Sequence, residues 1–263
     1  MTYRSSGGQN QLVWLLVLVA FVAAMIPLML WIESSPQSAF VTDGDGIWRP
    51  RVSSGMLDRP VDARDKRIRP APSVTATGQH AFLALQEDGT TPVGYDPCIP
   101  IHYEVNATNG GQDVIRLVKS AVRKVQHATG LEFVFDGVTS RTTHLSSDSP
   151  ALLKRVPVLV EWSDESAEPK LKGSIVGLGG SNTASDGKRL WYYTGQIALD
   201  GPELSGLSDA LVLAVIAHEW GHVLGLDHVK DVDEIMNAES VGRAEFGPGD
   251  LQGLARLGAI RCG

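Results

Sequence analysis

The chain opens with a run that does not alternate at all. Leu12 to Ile32 is 21 residues without a charge. At 1.5 Å per residue it reaches about 30 Å, the thickness of a bilayer core. Trp14 and Trp31 stand near its ends, where interfacial aromatics belong. Pro27 lies inside it, which a membrane helix tolerates better than a soluble one. A cleaved signal peptide has an apolar core of only about 7–15 residues, although Ala20, Ala23 and Ala24 offer small residues for a cut. The pattern therefore predicts a short tail over 1–11 and a membrane anchor over 12–32. Arg4 and the amino terminus precede the anchor, and the nearest positive charges after it are Arg49 and Arg51. This balance leans towards a cytoplasmic N-terminus and a C-terminal part outside the cytoplasm.

The pattern then disappears. Residues 33–80 carry Pro36, Pro50, Pro60, Pro70 and Pro72 with Gly44, Gly46 and Gly55, and no apolar period runs through them. The segment reads as a solvated spacer. The basic run Arg64–Arg69 leaves open a propeptide cut nearby.

From residue 81 both helical and strand periods appear. Ile101, Tyr103 and Val105 alternate with His102 and Glu104, as in a half-buried strand. Val114, Leu117, Val118, Ala121, Val122 and Val125 predict a helix over 112–128, stopped at Gly130. Strands are expected over 131–135, 156–162 and 192–199, with a short strand running into a flexible loop over 173–180. Helices are expected near 207–225 and 248–258. The sum is an α/β domain over 81–263.

Charge adds one exclusion. The net charge is −7. Residues 81–263 hold 15 Lys+Arg against 24 Asp+Glu, a balance of −9. An acidic domain argues against nucleic acid as a partner. Two cysteines are too few for a disulfide framework or a four-cysteine zinc module.

The chemistry is concentrated in residues 218–228, HEWGHVLGLDH. His218 and His222 are four apart and share one helix face, so both imidazoles can reach one zinc ion. Glu219 is placed to take a proton from a water held there. Gly225 permits a sharp turn that swings His228 back as a third ligand. Three histidines and an open fourth position suit a catalytic zinc site. The five fixed positions arise by chance in such a chain on the order of once in 100,000.

This segment resembles the zinc signature of the metzincin metallopeptidases. Met236, eight residues after His228, matches the methionine turn that lies beneath the zinc in that family. Residues 246–254, FGPGDLQGL, resemble the final helix of the matrixins and their bacterial relatives. The resemblance extends over 95–263 and is most specific over 218–236. It implies an α+β fold, with a twisted mixed sheet over an active-site helix and a small C-terminal subdomain. It implies one catalytic Zn2+ on His218, His222 and His228, with Glu219 as general base and then acid. It also implies an antiparallel edge strand, here 192–199, that binds a protein or peptide substrate as an added strand. Two departures stand out. His80, His102, His127 and His144 form no second zinc cluster, and no tyrosine follows Met236. Gly177–Asp186 has the polarity of a loop for a structural Ca2+.

Cys98 and Cys262 flank almost the whole domain. Outside the cytoplasm they would form a disulfide. The rival is an inhibitory cysteine switch at Cys98, but the Arg and Gly that flank such a cysteine are missing, and free thiols are the third option. Asn106-Ala107-Thr108 is a glycosylation sequon. Asp231, Asp233 and Glu234 could hold a cation, but read first as a solvated acidic loop. Together these features predict a membrane-anchored zinc endopeptidase working outside the cytoplasm. Two rivals share every ligand: a zinc-binding scaffold without turnover, and a zinc amidase acting on a non-protein cell-envelope amide. Intact Glu219 speaks against the first.

Overall fold

A computed structural model describes residues 52–54, 57–143, 155–239 and 243–263. The expected anchor over 12–32 and His144 lie outside these. Among the described residues no helix is long and apolar enough to cross a membrane.

The core element is a six-stranded mixed sheet. Its strands are β1 (Val52–Ser54), β3 (Ile101–Asn106), β4 (Phe133–Val138), β5 (Val158–Ser163), β6 (Gly177–Ser185) and β7 (Leu190–Asp200). They lie in the order β1-β6-β7-β5-β3-β4. β3, β4, β5 and β7 run parallel, and β6 runs antiparallel to β7. Helix α1 (Val114–Thr129) makes the crossover from β3 to β4, as parallel neighbours require. Its apolar stripe, Val114 to Ala128, is buried, and Gly130 closes it in the left-handed conformation at φ 63°. A short helix α2 (Gly201–Leu204) leads from β7 into α3 (Asp209–Leu224).

α3 lies against the sheet beside α1. Trp220 is fully buried and meets Tyr103 of β3 and Phe133 of β4 edge-on, with ring centres 5.9 and 5.4 Å apart. Such aromatic pairs contribute beyond the area they bury. Ser181 of β6 donates to the carbonyl of Val223, tying the C-terminal turn of α3 to the sheet. After α3, β8 (Leu226–Asp227) pairs antiparallel with β2 (Ala81–Phe82), and α4 (Pro248–Gly258) completes the domain.

Four expectations change. Residues 177–185 form a nine-residue strand, not a loop, so the span expected to offer a calcium loop is sheet. Its sequence, GLGGSNTAS, has one large apolar residue and hides the strand from any periodicity. β7, expected at the edge, is an inner strand between β6 and β5, and the antiparallel strand next to the border is β6. Residues 57–80, read as a free spacer, run along the domain. Arg64 N donates to Cys98 O, Ile68 N to Pro97 O, and the Arg67 guanidinium to Gly258 O. These are mostly backbone contacts, so the side chains announce nothing. Asn106 of the sequon is 3% exposed, and its amide nitrogen donates to Arg141 O. The folded domain therefore gives it no room for a glycan.

Cys98 and Cys262 are joined by a disulfide across 164 positions of sequence. It fastens the C-terminal segment to the start of β3. Gly263 N donates to Asp96, and the Arg189 guanidinium to the carbonyls of Arg261 and Cys262.

Candidate metal centre

The metal-ligating pattern begins on α3. Four residues of helix put His218 and His222 on one face, one turn apart. Gly225 then ends the helix at φ 120°, a conformation that side-chain-bearing residues rarely adopt. β8 follows, held by β2, and returns His228 to the same point.

The three Nε2 atoms converge. They lie 3.0 Å apart for the 218–222 pair and 3.1 Å for the other two pairs. His218 Nδ1 donates to Ile235 O at 2.7 Å and His222 Nδ1 to Leu226 O at 2.9 Å. Those bonds fix the tautomers and leave the Nε2 lone pairs facing one another. Converging lone pairs repel unless a cation stands among them. Nitrogens about 2.1 Å from a tetrahedral zinc are about 3.4 Å apart, close to the observed spacing. Three neutral imidazoles are also the right donors for such an ion. The site fits zinc.

Beneath the trio lies the methionine turn. Met236 is 1% exposed and packs on α3 at Gly221, where an added Cβ would come within 2.5 Å of the Met236 sulfur. Val229 N donates to Met236 O, which closes the loop from His228 to the turn. Two buried carboxylates hold this turn to α4, and the sequence reading did not find them. Asp250 accepts from the backbone N–H groups of Ile235, Met236 and Gly247. Glu234 accepts from Gly249 and Asp250 at the start of α4. Glu234 is thus buried, not part of a solvated loop, while Asp233 is exposed and pairs with Arg243. The Asp250 carboxyl is pushed up by burial, against three hydrogen bonds that pull it down. The pair forms a relay: Asp250 fixes Ile235, and the Ile235 carbonyl orients His218. The available signal was an acidic residue three into a helix opened by Gly247-Pro248.

The other histidines are elsewhere. His102 of β3 bridges Asp62 and Asp136, each at 2.7 Å. His80 packs edge-on against Phe82.

Electrostatics set the resting protonation. Burial lowers the His218 pKa to about 4, so its ring is neutral and ready to ligate at neutral pH. Burial raises the metal-free Glu219 pKa to about 8. The folded metal-free chain then holds a proton on Glu219 that the unfolded chain releases above its ordinary 4.5. That stabilisation is complete below 4.5 and drains as pH rises to about 8. His218 acts oppositely, losing stability only as pH falls from 6.5 towards 4. Between pH 6.5 and 8 Glu219 takes about 2 kcal/mol from the metal-free chain, and His102, whose pKa Asp62 and Asp136 raise against the desolvation that lowers it, adds a loss of the same sign. Melting curves of metal-free wild type and Glu219→Gln should diverge over that range, with a shallower fall in the variant, where His102 still titrates. Parallel curves would contradict the assignment.

His228→Ala removes one of three candidate ligands. Losing a partner that merely orients a ligand costs about 10–100-fold in metal affinity. Losing the ligand should therefore weaken zinc binding more than about a hundredfold in a chelator competition. Unchanged affinity would remove His228 from the set.

Residues 164–256, from the end of β5 through most of α4, match the family model of the matrixins. No curated protein matches the chain. The matched segment holds the three converging histidines, Glu219, the methionine turn and the acid pair behind it, and over these residues the chain is matrixin-like, similar to the metzincin zinc peptidases.

Proposed function

We propose that the protein is a membrane-anchored endopeptidase that cuts peptide bonds outside the cytoplasm, using zinc held by His218, His222 and His228. The observation that carries this is the convergence of three oriented Nε2 atoms on the helix that also bears Glu219. A zinc ion held there would supply a Lewis acid able to polarise the scissile carbonyl and ease ionisation of water.

The chain's own residues do the rest. Glu219 takes the proton of the attacking water and returns it to the leaving amine. His218 and His222 keep their orientation through Ile235 O and Leu226 O. Met236 supports the floor of the site from below. The outer side of β6 over 177–182 pairs with no other strand among the described residues, since β1 reaches only Thr183–Ser185. An extended substrate can add there by main-chain hydrogen bonds. The disulfide suits an oxidising compartment, and the 12–32 run suits a single membrane span.

The test uses the full chain in detergent. Zinc content is measured together with cleavage of a quenched unfolded protein, with and without a chelator. One zinc per chain and chelator-sensitive cleavage are expected. Zinc without cleavage of any protein substrate would move the reading to a scaffold or a non-protein amidase, and no zinc would end it.

A further inference from the structure

Glu219 is 5% exposed, yet no described group donates a hydrogen bond to its carboxylate. Something other than hydrogen bonding fixes it. The neighbour is the backbone of β6. A Cβ added at Gly177 would lie 2.6 Å from Glu219 Oε1 and 2.9 Å from both Cδ and Cγ. At Gly179 it would lie 2.9 Å from Oε2 and 2.5 Å from the Glu219 carbonyl oxygen. All are well inside van der Waals contact.

The two glycines are two apart on a strand and so face the same side. Leu178 between them turns to the other side and packs with Leu171 and Ala198. Neither glycine has a positive φ, so no turn or strained conformation demands glycine at either position. Close approach is the remaining reason. β6 therefore presents bare backbone over three residues, opposite the one acidic side chain of the HEWGHVLGLDH segment that points at it.

Resting on the peptidase reading above, we propose that Gly177 and Gly179 are positioning residues that form the wall fixing the Glu219 carboxylate. The wall acts by excluded volume and leaves the carboxylate's lone pairs for the reaction. The two positions differ in what they touch. A side chain at Gly179 meets backbone and would push α3 off the sheet. At Gly177 the three nearest atoms all belong to the Glu219 side chain, so Gly177→Ala presses first on the carboxylate rather than on the main chain.

The experiment combines kinetics with a melting cycle on the full chain in detergent. Gly177→Ala should keep its zinc and its KM and lose about tenfold to a hundredfold in kcat, the usual cost of a small misplacement. In the metal-free protein, Gly177→Ala should lower the melting temperature in the wild-type background. In the Glu219→Ala background, where the displaced carboxylate is gone, it should lower it no further. Gly111→Ala, which meets nothing within 4 Å, serves as the control and should change neither quantity. A wild-type kcat in Gly177→Ala would overturn the proposal. So would an equal melting penalty with and without Glu219, or failure to fold in both backgrounds. If the wild-type chain cleaves nothing, the peptidase reading fails by itself, and the melting cycle still decides whether the wall exists.

Discussion

Glu219→Ala should abolish most of the proposed turnover and leave zinc binding in place. A positioned general base is worth about 10²–10⁴ in rate. In the proposed mechanism the same side chain would also serve as acid in the second half of the reaction, so a loss of about 10³-fold or more is expected. Zinc should stay because two of the three imidazoles are held, without help from Glu219, by the carbonyls of Ile235 and Leu226. A dication held by the three imidazoles would favour the ionised form of the buried carboxyl, against the burial that raises its metal-free pKa to about 8. Glu219→Gln, of the same shape, should behave like Glu219→Ala. Metal analysis beside single-turnover kinetics reads both. Wild-type rates in either variant would sink the mechanism, and joint loss of zinc and activity would give Glu219 a structural task.

The second large effect lies far from the chemistry. Removing the disulfide with Cys98→Ala and Cys262→Ala frees a loop of 164 positions in the unfolded chain. The chain-entropy account assigns such a loop about 4–5 kcal/mol. For a domain of this size that is a melting-temperature drop of roughly 10–20 °C. The native contacts at stake are the Gly263–Asp96 bond and the Arg189 bonds to the C-terminal carbonyls. Thermal unfolding with and without reductant measures the effect. Coincident curves, with both thiols free throughout, would show that the bond is not made in the protein as isolated.

Some of this architecture was legible and some was not. α1 was legible because its apolar residues fall on one stripe. α3 was placed by its chemistry, since Leu211–Ala217 is apolar all round and points to no face. The three histidines could be read because their spacing obeys helix geometry and one glycine turn. β6 could not, because Gly, Ser, Asn and Thr take strand form there through pairing with β7 and, at its end, β1. Its neighbour β7 was read as the border because sequence order does not give spatial order in a mixed sheet. Asp250 and Glu234 escaped because their partners are backbone amides 14 to 16 positions away. Gly177 and Gly179 read as loop residues, since an absent side chain is visible only against what approaches it.

α3 has one more consequence. Ten of its sixteen residues are buried, and its C-terminal turn is tied to β6 through Ser181. In amide hydrogen exchange, such an enclosed helix opens only with the whole domain. Two of the three proposed ligands therefore sit in the slowest-exchanging part of the molecule. The third, His228, comes from a two-residue strand and a turn, held by β2 and the Val229–Met236 bond. Local opening of that small unit uncovers one face of the trio while α3 stays folded. The ion would then leave by a local breath on the His228 side, at a rate set by that fluctuation and independent of global unfolding.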